Sequence, residues 1–207
     1  MWGVVWLFVV ALLAGCAGPV RDGVDAVARA AYRAPGPPSV TLITVVRNDY
    51  RVGTHSALLI NGSQRVLYDP AGSWKNGRAP ERDDLRFGID DEVLAHFLTY
   101  HARRGHSVVL QEVPVAPEVA EAAIRAAAIQ GAARPGFCAD SVARVLRRVP
   151  GWQELRVTFF PTVLMGRFQK LTDARVRMLV EEAPAPARGS VAVGGAAAAG
   201  GERPAAS

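Results

Sequence analysis

Thr54-His55-Ser56-Ala57-Leu58-Leu59-Ile60-Asn61-Gly62-Ser63-Gln64-Arg65-Val66-Leu67-Tyr68-Asp69-Pro70 is the stretch on which the fold turns. His55 to Ile60 and Gln64 to Tyr68 are short runs rich in Leu, Ile and Val, and Asn61-Gly62-Ser63 separates them. Asn-Gly between two such runs is the strongest short-range signal of a β-hairpin, because both residues tolerate the positive φ that a tight turn between twisted strands needs. The loop length sets the register. If Asn61 to Ser63 form a three-residue loop, His55 stands across from Asp69. If Asn61-Gly62 alone make the turn, His55 faces Tyr68 and Asp69 points to the other side.

Working outward, Val40 to Val46 reads as a strand before the hairpin, and Ile89 to Arg103 carries Val93, Leu94, Phe97 and Leu98 at helical spacing. Ser107 to Val115 alternates like a strand. Pro117 then opens an Ala-rich helix through Ile129, with Glu118 and Glu121 suited to its positive end and Gly131 closing it. A further helix runs from about Cys138 to Val149 and stops at Pro150-Gly151, and Pro161 opens a last one through Leu171. No internal repeat is visible. The pattern predicts an α+β domain over residues 40–180, with a small, mainly antiparallel sheet packed against helices.

The ends of the chain differ in kind from this domain. Trp2 to Ala14 is an apolar run broken only by Gly3, closing in Leu13-Ala14-Gly15-Cys16. It is shorter than the roughly 20 apolar residues a membrane span needs, and an apolar run ending in small residues is the pattern of an export signal. Leu-Ala-Gly-Cys resembles the bacterial lipobox, although no Lys or Arg lies between Met1 and Cys16. That resemblance implies a signal peptide over residues 1–15 and an acylated Cys16, so that membrane lipid is a partner of the chain. Ala17, where Asp would favour retention, points by the same resemblance to the outer membrane, facing the periplasm. Residues 16–39 then read as a flexible lipid-anchored tether with one short helix around Asp25 to Tyr32. Residues 181–207 are mostly Ala, Gly and Pro and read as a disordered tail, since ordering them would cost entropy with little burial in return.

The net charge of +5 invites a nucleic-acid partner, but the Arg residues are scattered and not gathered into a stripe with interleaved aromatics. A solvated basic surface near anionic lipid headgroups is the simpler reading, and no nucleic acid is expected. Oligomeric state leaves no mark in the sequence.

The sharpest inference comes from the two cysteines. Acylation consumes Cys16, leaving Cys138 as a lone thiol in an oxidising compartment. One reading is a small buried hydrophobe. The other is a nucleophile at a helix N-terminus, where unpaired N–H groups and the dipole lower the thiol pKa. A nucleophile needs a base, and His55, His96, His101 and His106 are the histidines available. His96 and His101 lie on the 89–103 helix, where histidines are ordinary, and His106 starts a strand that can face either way. His55 is the candidate base. Asp69 either orients it or simply ends its strand in a turn before Pro70. The histidines and thiol lack metal-ligand spacing, and no Gly-rich phosphate loop is present, so neither a metal nor another cofactor is expected.

The order of these motifs resembles a known superfamily. Thr54-His55-Ser56-Ala57-Leu58-Leu59-Ile60, then Leu67-Tyr68-Asp69-Pro70, then Phe137-Cys138-Ala139-Asp140-Ser141-Val142 is similar to the circularly permuted branch of the NlpC-like papain-fold thiol hydrolases, which includes lecithin:retinol acyltransferase-like proteins and bacterial lipoproteins. There the His strand precedes the Cys helix. The likeness spans about Val40 to Leu171, with Phe137 where the branch often has Asn and without its Val-Gly pair after the His. It implies a permuted papain-like fold with Cys138 as nucleophile, His55 as base and Asp69 as the orienting group. The implied activity is hydrolysis or acyl transfer at a peptide amide, such as one of peptidoglycan, or at a lipid ester, through a thioacyl intermediate. The alternative is a catalytically inactive envelope-binding or structural lipoprotein.

Overall fold

The computed structural model describes residues 20–103 and 105–180. The expected signal segment, the lipidation of Cys16 and the tail over 181–207 lie outside the described residues. Within them the chain runs α1 (Val24–Ala30), β1 (Ser39–Arg47), β2 (Val52–Asn61), β3 (Arg65–Tyr68), β4 (Glu81–Arg82), β5 (Leu85–Arg86), α2 (Asp91–His101), β6 (His106–Pro114), α3 (Pro117–Gln130), α4 (Cys138–Arg147), α5 (Pro161–Thr172) and β7 (Arg175–Val180). The strands form one seven-stranded sheet, ordered β4-β5-β3-β2-β1-β6-β7, with antiparallel pairing throughout. The protein is α+β with an antiparallel sheet packed against helices, the class expected from the sequence.

Both faces of the sheet are covered, which explains why the central strands read as nearly continuous apolar runs. Val40, Leu42, Leu58 and Ile60 meet Ala123, Val142, Leu146 and Leu164 from α3, α4 and α5 in one core. Ile43, Ala57, Leu59 and Leu67 meet Trp74, Val93 and Phe97 in a second, under α2. No described helix is long and apolar enough to cross a membrane.

The hairpin corrects both registers that the sequence left open. Leu58 pairs with Tyr68 and Asn61 with Arg65, so the loop is Gly62-Ser63-Gln64. Asn61 stays in the strand, paired with Ser39, and its Nδ2 donates to the Pro37 carbonyl at 3.2 Å. Glu121 on α3 accepts from the Ser63 N–H at 2.6 Å. The helix therefore holds the loop one residue further along than the Asn-Gly signal suggests.

Three strands have no counterpart in the sequence reading. β4 and β5 are two residues each, joined at Asp83 and Asp84, which take φ of 52° and 67° as a tight hairpin turn demands. β7 pairs with β6 as an edge strand whose Val176, Met178 and Val180 are exposed. The expected tether is also corrected from Val20 onward. Arg21 bridges Arg82, the Asp22 N–H donates to the Glu81 carbonyl at 2.8 Å, and the Arg65 N–H donates to the Tyr32 carbonyl at 2.7 Å. Residues 20–38 are thus laid along the domain by backbone hydrogen bonds, with α1 as the short helix in that stretch.

Candidate active site

His55 sits near the start of β2, beside an irregularity in the strand. Val45 pairs with His55 but Val46 pairs with Gly53, so Thr54 is an extra residue. Such a bulge re-aims the neighbouring side chain and increases the local twist. Gly53 permits a close approach: a Cβ there would lie 2.7 Å from Pro161 Cβ and from the Thr162 backbone nitrogen, so any larger residue would push α5 away from β2.

Asp69 follows β3 and is 1% exposed. Continuing the β3 register places it beside Ala57, diagonal to His55 on the same face of the sheet. Diagonal neighbours are within reach of longer side chains, and His55 Nε2 lies 2.7 Å from Asp69 Oδ1. The carboxylate is held from several sides. Its backbone N–H donates to the Asp84 carbonyl at 2.9 Å, and its carbonyl accepts from the Gly72 N–H at 3.0 Å. Buried Arg86 places Nε 3.9 Å from Oδ2 and reaches Glu81 Oε2 with Nη2 at 2.8 Å. The Arg86 guanidinium also lies over the Trp74 ring, 5.1 Å from its centre.

Cys138 is the first residue of α4, free and 8% exposed. Phe137 precedes it at the N-cap and makes no side-chain hydrogen bond to the first N–H groups of the helix. The side chain of His55 and the backbone of Ser56 and Ala139 lie close enough to the sulfur to lower its proton affinity. Since Nε2 of His55 is engaged by Asp69, Nδ1 is the nitrogen left for the thiol. His55 is therefore where the two layers meet: α4 from one face supplies the sulfur, and α2 from the other supplies a stacked ring.

The electrostatics follow from this packing. Burial raises the proton affinity of Asp69 and Cys138 and lowers that of His55, but the hydrogen bonds and opposite charges among the three reverse each effect. Asp69 is held below the ordinary carboxylate range and Cys138 below the ordinary thiol range, while His55 is raised to about 10. The arrangement favours a thiolate–imidazolium couple backed by a carboxylate.

His101 belongs to this site, although the sequence reading set it aside. Its ring stacks on that of His55, and Phe97 and Tyr100 meet it edge-on at 4.6 and 5.0 Å. Burial first, and then the positive charge of His55, push its pKa down to about 4, so it stays neutral. A signal was present: Val93, Phe97 and His101 recur every fourth residue and continue the apolar stripe of α2. His96 is structural, accepting from Trp74 Nε1 at 2.9 Å.

His55, Asp69 and His101 could each offer a metal ligand, with the ligand atoms within 4.8 Å of one another. The nearly parallel stacking of the two imidazoles directs their in-plane lone pairs side by side and not toward a common point. A hydrogen-bonded relay suits this geometry better than a tetrahedral metal centre. Beside His55 opens a cavity of about 200 Å³, walled by Thr54, Tyr100, His101, Arg103 and His106 among others. Next to Cys138, Phe137 meets Phe159 edge-on at 5.2 Å, and Phe159 and Phe160 are exposed.

No protein-family model, no curated protein and no solved structure matches the chain.

Proposed function

We propose that the protein is a membrane-anchored cysteine hydrolase or acyltransferase of the bacterial cell envelope, acting on an amide or ester through a thioacyl intermediate. One observation carries the reading: His55 hydrogen-bonds buried Asp69 at 2.7 Å and lies near enough to Cys138, at the head of α4, for each to shift the other's proton affinity. Nucleophile, base and orienting carboxylate are thereby linked in series, the arrangement that activates a thiol toward a carbonyl carbon. The likeness to permuted NlpC-like papain-fold enzymes is part of the same proposal. It is supported by the order of the parts, a His strand in an antiparallel sheet followed by a helix with Cys at its head.

In the proposed reaction the Cys138 thiolate attacks the substrate carbonyl, and the backbone N–H of Cys138 stabilises the oxyanion. The intermediate collapses as the protonated His55 delivers its proton to the departing amine or alkoxide, leaving a thioester on Cys138. His55 then removes a proton from water or another acceptor, which attacks the thioester. The acyl group leaves on that acceptor, and Cys138 departs as the thiolate beside protonated His55, which restores the starting couple. The exposed aromatic surface of Phe137, Phe159 and Phe160 gives the acyl side an apolar bed. Lipid on Cys16, by the lipobox resemblance, would hold this chemistry at the outer membrane, within reach of peptidoglycan peptides and lipid esters.

Alkylation tests the chemistry. Iodoacetamide is expected to label Cys138 of the folded chain within minutes near neutral pH, and His55→Ala to slow that labelling at least tenfold. Labelling that appears only on unfolding would remove the enzyme and leave an inert envelope-binding or structural lipoprotein. Mass spectrometry of the chain from a bacterial membrane tests the anchor. Acyl mass on a peptide beginning at Cys16, lost in Cys16→Ser, is the expected result.

A further inference from the structure

The cavity beside His55 has a chemistry of its own. Thr54, Tyr100, His101, Arg103 and His106 surround it with His55, and among the described residues no Asp or Glu lines it. The positive charge of His55 is already matched by Asp69 and Cys138, so among the described lining residues the charge that decides the character of the cavity is that of Arg103. The guanidinium carbon of Arg103 lies 4.0 Å above the centre of the Tyr100 ring. Stacking of this kind engages the flat face and leaves the in-plane N–H groups directed outward, in the fork that matches a carboxylate or phosphate. Tyr100 adds a hydroxyl, itself positioned by Ser73 Oγ at 3.1 Å.

We propose that this cavity is the subsite for an anionic group of the substrate, a carboxylate or a phosphate, with Arg103 as its charged grip and Tyr100 as the platform that holds Arg103 in place. Its meaning as a substrate subsite rests on the thiol chemistry proposed above; its affinity for an oxyanion does not. An anion bound there would orient the scissile group from the His55 side. Substrates bearing such a group close to the reacting carbonyl would be preferred over neutral analogues.

The test is an NMR titration of the full chain in detergent, following the imidazole signals of His101 and His106. The probes are inorganic phosphate, N-acetylalanine, and N-acetylalanine amide as the uncharged control. Saturable shifts with phosphate or N-acetylalanine, absent with the amide and weakened at least tenfold in Arg103→Gln, are expected. Arg103→Lys should recover only part of the affinity, because a point charge lacks the two-pronged match. Response to phosphate alone identifies a phosphate-bearing substrate, and response to N-acetylalanine alone a carboxylate. Absence of saturable binding by either anion, or equal binding in Arg103→Gln with its spectrum otherwise unchanged, overturns the subsite. Iodoacetamide labelling of the unmodified chain keeps the two ideas apart. Fast labelling without anion binding removes the subsite and leaves the thiol chemistry; slow labelling with Arg103-dependent binding does the reverse.

Discussion

The imidazole of His101 lies almost flat against that of His55, with ring centres 5.4 Å apart and planes 15° from parallel. One ring is raised to about 10 and the other depressed to about 4, so at neutral pH a charged imidazole rests on a neutral one. The contrast arises because only His55 has a carboxylate and a thiol to balance its charge; His101 Nε2 is buried with no hydrogen-bond partner among the described residues.

This asymmetry predicts how stability responds to acid. A histidine whose folded pKa lies below its unfolded value of 6.5 binds a proton more readily when unfolded, so it costs stability as pH falls from 6.5 toward 4. The cost has a ceiling on the order of 3 kcal/mol, reduced by the partial exposure of the ring. His101→Phe keeps the stacked area and removes the titration. Urea unfolding at steps between pH 7 and 4 should show a shallower loss of stability in this variant than in the parent, and equal slopes would contradict the account.

Asp69→Asn keeps the shape of the relay and removes its charge. Without the carboxylate, His55 loses proton affinity, and the couple moves from thiolate and imidazolium toward neutral thiol and imidazole. The rise of iodoacetamide labelling with pH should therefore move to higher pH. At neutrality, labelling should slow about tenfold for every pH unit by which the profile moves. Under the proposed thiol chemistry, turnover should fall on the order of a hundredfold or more. An unmoved labelling profile would show that Asp69 does not tune the pair.

Gly72→Ala should imitate that loss without touching the relay chemically. A Cβ at this position would collide with the Asp69 carboxylate, Oδ2 being its nearest neighbour. The rigid, buried surroundings give the displaced carboxylate little room. The expected result is a labelling profile displaced in the same direction as in Asp69→Asn, with about 1–3 kcal/mol of destabilisation in urea. Additive effects in the double variant would argue against the shared cause.

Arg86 holds two buried carboxylates, reaching Glu81 at 2.8 Å and Asp69 at 3.9 Å, and is itself 2% exposed. Arg86→Met leaves both acids without that buried cation, although Lys75 still contacts Glu81 at 3.0 Å. Removal of one partner from a buried ion pair costs about 3–5 kcal/mol. Chemical denaturation should register a loss of that order, and adding Glu81→Gln should recover part of it by removing one stranded charge. A near-neutral single substitution would mean that Arg86 contributes packing alone.

The amino-acid sequence by itself determined the parts whose causes lie within a few residues of one another. The hairpin came from Asn61-Gly62 between apolar runs, the start of α3 from Pro117, and the end of α4 from Pro150-Gly151. Cys138 was legible at the head of its helix because Val142, Val145 and Leu146 repeat at helical spacing behind it. Only the tertiary structure decided the rest. The register was set by Glu121 on a distant helix, gripping Ser63, which no local propensity encodes. His101 entered the site because α2 packs its apolar stripe onto the sheet beneath His55, and Arg86 because a turn of two aspartates at positive φ folds β5 back beside Asp69. In each case the deciding free energy comes from groups far apart in the chain that share one desolvated space, and a linear reading contains no measure of that proximity.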